Sequence, residues 1–250
     1  QILVPNYIKN CLRNIYNFNN NSIINFKDIG VPQNRARSIF LLTKKKYPFS
    51  WEFPNTSKII TLKDTIGHLP KLDPMINDIS ENDFLKIFPK YYKRLDRALK
   101  ISDKHRPTEH VYRQVFTMMY TPTGYSAFNN KNPNHRPKKK NGDFVKGFNN
   151  TYKRQSWDKP ANTITTYNRT IGSQENVHPG RKLNLDKNGY QLYSDARVLT
   201  IYEIMLVMSL PKNWNPPNWA SDNLIRQVIG EGIPPEGMKK IIKSLLDEKI

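Results

Sequence analysis

The sequence Gly30-Val31-Pro32-Gln33-Asn34-Arg35-Ala36-Arg37 carries the clearest local signal in the chain. Its glycine and proline predict a turn, and the residues after them alternate as in a strand. Gln33, Arg35 and Arg37 would then share one face of that strand as three planar hydrogen-bonding groups. Such groups are costly to bury unless something polar is bound beside them. On spacing alone, an ordinary pair of arginines that bridge to acids elsewhere is equally compatible.

The residues that follow, Ile39-Phe40-Leu41-Leu42, form a short continuous apolar run. A run of this kind is typical of a strand that is covered on both faces. We therefore expect the edge of a parallel sheet whose other strands are not in this chain. The chain begins at Gln1, without a signal peptide, which favours a piece of a longer protein.

Charge is the main signal in the composition of the 250 residues. Forty Lys and Arg against 21 Asp and Glu give a net charge of +19 at pH 7. Such a chain usually binds a polyanion, above all nucleic acid. A membrane partner is disfavoured, because the longest apolar run, Ile204 to Leu210, is interrupted by Ser209 and is far shorter than the roughly 20 residues of a membrane span. The single cysteine excludes an internal disulfide and fits a reducing, cytoplasmic environment.

Few residues suggest a nucleophile or a metal site. The one cysteine, Cys11, lies with Ile8, Leu12 and Ile15 on one predicted helix face, so we expect it to pack against the core. A reactive thiol would need an exposed, electropositive setting instead. The five histidines show no spacing typical of metal ligands, and we expect no metal.

Regular structure is most clearly predicted near the C-terminus. Thr200 and Glu203 form a capping box, which starts a helix with Ile201, Ile204, Met205 and Met208 on one face. A second helix is expected after Ser221, ending at Gly230. Pro235 fits the first turn of a last helix. Its predicted buried stripe consists of Met238, Ile241, Ile242 and Leu245.

The long middle of the chain, residues 47–196, is irregular and rich in Pro, Asn and Lys. Helices are expected to begin at Ser80-Glu81-Asn82-Asp83 and again over 91–100. The segment 131–140 contains five basic residues and no acid. It is either a solvated surface loop or a loop that contacts phosphates.

The Gln-x-Arg-x-Arg pattern at 33–37 resembles a motif of the cytosine DNA methyltransferases that modify carbon 5. Further segments resemble other motifs of that family and follow in the family's order: WDKPANTITT at 157–166, His178-Pro179, RVLTIYE at 197–203 and QVIGEGIPP at 227–235. The family's Pro-Cys loop, Glu-Asn-Val motif and glycine-rich cofactor loop are not found before Gln33. Cys11 does not match the Pro-Cys loop, so it does not inherit the role of nucleophile.

The resemblance implies an α/β fold: the C-terminal part of a Rossmann-like methyltransferase that depends on S-adenosylmethionine, with a small, irregular, mixed target-recognition domain. It implies that residues 1–46 end the catalytic domain, that 47–196 form the target-recognition domain, and that 197–250 return to the catalytic domain. The expected partners are double-stranded DNA and a missing N-terminal part or subunit, in a bacterial cytoplasm. By this resemblance the chain alone would not methylate DNA.

Site residues follow from the resemblance position by position. Arg37 would hydrogen-bond an extruded cytosine, with Arg35 and Gln33 in support. Glu231 and Gly232 would face the methionine end of the cofactor, although the family usually has Asn and Ala there, and Glu231 would repel the cofactor's carboxylate. Candidate DNA contacts are Lys138, Lys139, Lys140, Arg154, Thr163, Arg169 and Arg181. An Arg197–Glu203 contact would brace the recognition domain, in a motif where Tyr202 replaces the usual Arg.

Three functions remain open on the sequence. The first is the recognition and C-terminal part of a cytosine-5 DNA methyltransferase of a restriction-modification system. The second is a DNA-binding module without catalysis that kept the fold, which the departures at Tyr202 and Glu231 favour slightly. The third is a relative that modifies tRNA by the same chemistry, against which the long basic insertion argues modestly.

Overall fold

The computed structural model describes residues 4–19, 22–47, 49–211 and 213–247. Eight α-helices lie within these residues: α1 Val4–Leu12, α2 Leu62–Ile66, α3 Glu81–Ile87, α4 Tyr91–Leu99, α5 Tyr112–Met119, α6 Ile201–Val207, α7 Asp222–Glu231 and α8 Pro235–Asp247. Eight short strands accompany them: β1 Tyr16–Phe18, β2 Ile23–Asn25, β3 Ala36–Ser38, β4 Leu42–Lys44, β5 Met75–Ile76, β6 Glu109–His110, β7 Lys182–Leu185 and β8 Gln191–Tyr193. The described chain is therefore a mixed α/β structure.

The strands pair two by two. β1 pairs with β4, β2 with β3 and β7 with β8, all antiparallel, whereas β5 and β6 are parallel. Among the described residues no larger sheet forms. Most of the middle of the chain consists of loops, as its composition predicts.

The prediction of a parallel strand over Ile39–Leu42 is wrong. Only Leu42 of that run belongs to a strand, and β4 pairs antiparallel with β1 of the same chain. The physical reason is a sharp turn at Gly30, whose φ of 78° is left-handed. The chain reverses there, and β3 returns along β2. Leu41 is buried, and its amide donates to the Asn19 side chain at 3.1 Å.

The last helix packs against this N-terminal segment. Ile241 of α8 is buried with Phe26, Ile29 and Val31 in one hydrophobic cluster. The approach is so close that a Cβ on Gly237 would lie 2.2 Å from the ring of Phe26. The two ends of the described chain therefore form one packed unit.

A second cluster joins α2, α6 and α7. Its buried residues include Ala161 and Ile164, which come from the irregular middle of the chain. The capping box predicted at Thr200 and Glu203 is present at the start of α6. The side chain of Ser221 caps α7, as expected.

A third cluster is formed, apart from Val198, by residues of the middle segment 47–196. It is formed by α3, α4, α5 and the loops around them, with these buried members: Ile76, Phe84, Phe88, Tyr91, Val115, Met118, Ala127, Ile171, Val177, Ala196 and Val198. Residues 47–196 thus contribute to this cluster and to the second one. The domain boundaries after residues 46 and 196 stay predictions.

The helices predicted from capping and periodicity are confirmed for α3, α4, α6, α7 and α8. The predicted burial of Cys11 is wrong: α1 has no buried residue, and the thiol is exposed. The stripe on α8 is only partly buried, because Ile241 is inaccessible while Ile242 is 51% exposed. The sequence at 17–21 is rich in Asn, and residues 20 and 21 of it lie outside the described residues.

Candidate functional site

Arg35 joins three segments that are far apart in the sequence. Its guanidinium donates to the carbonyl oxygens of Ile164 at 2.8 Å, Gly230 at 2.7 Å and Gly232 at 2.8 Å. The side chain is fully buried. Burial, with a smaller contribution from the positive charge of Arg37, lowers the pKa of Arg35 to about 10. We call Arg35, Gln33 and the three carbonyls the Arg35 junction.

Gln33 is the second buried side chain of the Arg35 junction. Its Oε1 accepts from Arg35 at 3.3 Å, and its Nε2 lies 3.1 Å from the sulfur of Met208. The backbone beside it is bonded to the segment at 157–166, since Asn34 N donates to Ala161 O at 2.7 Å and Ala161 N donates to Pro32 O at 2.9 Å. These bonds fix Gln33 and Arg35 relative to the rest of the chain.

Arg37 has a different environment from Gln33 and Arg35. It is half-buried, and its guanidinium donates to the carbonyl of Ala36 at 2.7 Å. The structure therefore brings Gln33 and Arg35 together and leaves Arg37 at the surface beside them. Arg37 keeps donors that are available to a ligand, which the buried Arg35 does not.

A buried ionic cluster lies at the start of α6. Arg197 forms a bidentate pair with Glu203, at 2.7 and 2.9 Å, and also donates to Asp195 at 3.2 Å. Burial alone would raise the pKa of the Glu203 carboxyl, but Arg197 outweighs it and holds the pKa far below its usual range. The predicted contact between Arg197 and Glu203 is present, and it is a fully desolvated one.

Asp195 connects this cluster to the middle segment of the chain. Its carboxylate accepts from the amide of Leu72 at 2.9 Å and from Arg181 at 3.2 Å. Nearby, burial disfavours the charged form of His178 and lowers its pKa to about 4, so this histidine is neutral at pH 7. The cluster is therefore a structural brace between α6 and the loops of the middle segment.

Two of the residues proposed to contact DNA, Arg154 and Arg181, are already bonded to groups within the protein. Arg154 is completely buried, and its guanidinium donates to the carbonyls of His178 at 2.7 Å and Met118 at 2.8 Å. Arg154 cannot reach a phosphate, so we correct that assignment. Arg181 is partly buried over the ring of Trp157 and is bonded to Asp195, which leaves little of its charge free.

The other candidates lie at the surface. Lys139 and Lys140 are exposed in a tight turn where Lys138 and Phe144 form a bridge, and the Lys138 ammonium lies 5.5 Å from the ring of Phe144. Arg169 is exposed and donates to Asn223 Oδ1 at 2.8 Å. These four basic residues remain available to phosphates.

Thr163, Glu231 and Gly232 belong to the segments that meet at the Arg35 junction. The Thr163 hydroxyl donates to Asn34 O at 2.6 Å, so it holds the junction together. Glu231 is exposed and accepts from Gln227 at 3.1 Å. The carbonyl of Gly232 is taken by Arg35.

Arg226 was missed by the sequence reasoning. This side chain of α7 is buried and donates to Asn168 Oδ1 at 3.0 Å, Thr108 Oγ1 at 2.8 Å and Leu199 O at 2.9 Å. The available signal was its position directly beside Ile225 on the apolar face of a predicted helix. Within the described residues no group of three His, Cys, Asp or Glu could hold a metal ion.

Three distant segments of the chain converge on one buried arginine, and comparison with known proteins identifies the class of protein. The chain matches the model of the C-5 cytosine-specific DNA methylase family over residues 5–247. It belongs to that family. The resemblance seen in the motifs is thereby confirmed.

A particular relative agrees with this assignment. The chain is 39% identical over 226 residues to the Type II methyltransferase M1.HgaI of Avibacterium volantium, an alignment that covers 90% of this chain and 55% of the relative. The chain thus spans little more than half the length of that relative.

A solved structure shows the same fold. A crystal structure of a prophage-encoded DNA modification methyltransferase from E. coli superposes with a TM-score of 0.50 at 16% identity, over 97% of this chain and 64% of the other. The methyltransferase EhMeth of Entamoeba histolytica gives a TM-score of 0.49 at 16% identity, over 99% and 59%. The first of these two structures confirms the predicted methyltransferase fold class. Across the residues that the structure describes, no helix is both long and apolar enough for a membrane span.

Proposed function

We propose that this chain is the target-recognition and C-terminal part of a site-specific DNA (cytosine-5)-methyltransferase of a restriction-modification system, acting in a bacterial cytoplasm. A second polypeptide segment, with the Pro-Cys loop and the glycine-rich loop, supplies the nucleophile and most of the cofactor site. The substrate is a cytosine extruded from duplex DNA, because the reacting carbon is inaccessible inside the stacked helix. Family membership and the order of the motifs support this proposal.

The Arg35 junction is the single observation that carries the proposal furthest. Segments resembling three separate motifs of the family meet at one buried guanidinium: 33–37, 157–166 and 227–235. This convergence fixes the backbone next to Arg37 while the Arg37 side chain stays available. A fixed backbone positions a donor with little reorganisation, which is what stabilisation of a developing charge requires. Arg37 then hydrogen-bonds the extruded cytosine, and Arg35 and Gln33 act as positioning residues.

Duplex DNA is held by surface charge in this proposal. Lys138, Lys139, Lys140 and Arg169 contact phosphates, which position the duplex without reading its sequence. The net charge of +19 supports a polyanion as partner. Thr163 and Arg181 contribute by holding loops in place, through their bonds to Asn34 and Asp195.

S-adenosylmethionine supplies the methyl group when it is bound. Among the described residues, the exposed carboxylate of Glu231 has the chemistry to accept from the cofactor's ammonium. The Gly232 carbonyl, by contrast, is already taken by Arg35. Glu231 is thus the group that the described residues offer to the methionine end, and the segment with the glycine-rich loop holds the rest of the cofactor.

Reconstitution tests the proposal. The chain is mixed with a polypeptide that carries the Pro-Cys and cofactor motifs, and transfer of a labelled methyl group into duplex DNA is measured. We expect transfer only on mixing, and we expect Arg37→Ala to abolish most of it. Arg97→Ala, which removes an exposed arginine of α4, is the matched control and should leave transfer unchanged.

Two results would reverse the proposal. The partner polypeptide is first shown to methylate DNA when it is mixed with the recognition part of another family member. If the present chain then binds DNA in a salt-sensitive way but no methyl group is transferred, a non-catalytic DNA-binding module is favoured. Transfer into tRNA instead of duplex DNA would favour the RNA-modifying alternative.

A further inference from the structure

An aromatic cavity of about 370 Å³ lies in the middle segment, on a surface formed by the end of α5, the loop 122–132 and β8. Its volume falls within the range of roughly 300–1,000 Å³ that is common for small-molecule sites. None of the site residues discussed above lines it. The cavity is thus a separate feature of the molecule.

The floor of the cavity consists of three fixed rings. Tyr120 and His135 are stacked, with centroids 3.6 Å apart and planes 9° from parallel. Tyr190 meets His135 edge-on at 4.8 Å. The hydroxyl of Tyr120 donates to Asp186 at 2.9 Å, which locks the ring. Burial lowers the pKa of His135, which disfavours the charged form of its ring.

One ring at the rim has no such partner. Tyr125 lines the cavity, is 61% exposed and has no aromatic neighbour within the part of the chain that the structure describes. Its backbone is nevertheless held, because Arg154 N donates to Tyr125 O at 3.0 Å. A large apolar ring kept open on a fixed backbone is a surface on which a flat ligand can stack.

Polar groups surround the aromatic surface. Asn129 and Asn132 bring side-chain amides to the rim, and the Oδ1 of Asn132 already accepts from Asn134 N at 2.9 Å. The Nδ2 of Asn132 is left as a donor. Lys131, which is exposed, adds a positive charge at the mouth. Amides match the edges of nucleobases, and a lysine matches a phosphate.

We propose that this cavity binds a single unstacked nucleobase of DNA, stacked on Tyr125, with the adjoining phosphate at Lys131. The base is a different one from the cytosine at Arg37, since the cavity shares no residue with the Arg35 junction. The inference rests on the proposed function in one respect, which is that DNA is taken as the source of the base. A free deoxynucleotide has the same chemistry and is the other source to be distinguished.

The test compares two duplexes that differ by one unpaired adenine in a bulge, with binding to the full chain measured by fluorescence anisotropy. We expect the bulged duplex to bind about tenfold more tightly, because stacking on an aromatic side chain favours an unpaired base. Tyr125→Ala should remove this preference, and Tyr125→Phe should keep it. Tyr92→Ala, which removes another exposed tyrosine outside the cavity, should have no effect.

This experiment measures DNA binding and does not depend on methyl transfer. Its outcome can therefore be interpreted even if the proposed catalytic role is wrong. Deoxyadenosine monophosphate should compete for the cavity only at millimolar concentration. If it abolishes the preference at low micromolar concentration, the ligand is a free nucleotide and the assignment to DNA is overturned. Equal affinity for both duplexes, or a preference that survives Tyr125→Ala, would overturn the inference. So would an equal or greater preference for a bulged RNA duplex, because the source would then not be DNA.

Discussion

Arg35 donates to the carbonyl oxygen of Gly230 at 2.7 Å, although 195 positions separate the two residues in the sequence. The bond joins the turn after Gly30 to the end of α7. Because both partners are buried, neither can exchange this bond for one to water without local unfolding. The relationship makes the two ends of the chain depend on each other.

Replacement of Arg35 should therefore be costly to the fold. Arg35→Ala leaves the carbonyls of Ile164, Gly230 and Gly232 without their donor, and we expect a loss of about 3 kcal/mol in the free energy of unfolding. Urea denaturation followed by circular dichroism measures it. The matched variant Arg37→Ala removes a half-buried side chain and should cost less than about 1 kcal/mol. Equal losses for the two variants would contradict the difference in their roles.

Close packing at Gly230 gives a second prediction. A Cβ at this position would lie 2.3 Å from the carbonyl oxygen of Thr165, a backbone atom that is itself held in the structure. We expect Gly230→Ala to destabilise the chain by about 1–3 kcal/mol, the usual cost of overpacking. Gly232→Ala is the control, because its nearest neighbour would be 3.4 Å away. Thermal unfolding of both variants measures the loss of stability. If Gly232→Ala is as unstable as Gly230→Ala, the steric argument is wrong.

The sequence predicted the elements that local chemistry determines. Ser80 and Thr200 cap helices because their hydroxyls lie three residues before a free amide, which is a local relationship. The carbonyl partners of Arg35 lie at least 129 residues away in the sequence, and the partners of Arg226 lie 27 to 118 residues away. Neither set could be predicted in this way. Arg154 shows the limit most plainly: basic composition suggested a phosphate contact, and tertiary packing buried the side chain instead.

The prediction of a parallel strand from the apolar run at Ile39–Leu42 was wrong for a related reason. Continuous hydrophobicity shows that residues will be covered, but it does not specify what covers them. Here the turn at Gly30 and the bond from Leu41 to Asn19 direct the segment to antiparallel partners in the same chain. The prediction for Cys11 was wrong in the opposite direction. Its helix face has the apolar spacing of a buried face, but in the described structure the thiol is exposed.

Stability should fall in mild acid because of two buried histidines. Burial lowers the pKa of His178 to about 4, and burial with nearby Arg226 lowers that of His110 to about 3. Their unfolded pKa is about 6.5. Since the folded values are depressed, their contribution is complete above pH 6.5 and is lost as the pH falls toward 4 and 3. At pH 5 each histidine should account for about 2 kcal/mol of lost stability.

Urea denaturation at pH 7.5 and pH 5 measures this loss. Replacing His110 by Gln should reduce the difference between the two pH values, even if the variant is less stable at both. His68→Gln, which changes an exposed histidine, should keep the full difference. A pH dependence that is unchanged in His110→Gln would show that other groups are responsible.

The salt dependence of DNA binding tests whether the three lysines at 138–140 contact phosphates. Each phosphate that a lysine neutralises adds a slope of about −0.9 to a plot of log affinity against log salt concentration. Replacing all three lysines by Ala should weaken binding to every duplex alike and make the slope shallower by about 1 for each phosphate that is no longer neutralised. The chain offers a matched control in Lys44, Lys45 and Lys46, a second run of three lysines, all of them exposed, with the same total charge. If both triple variants change the slope equally, net charge rather than the turn at 138–140 holds the phosphates.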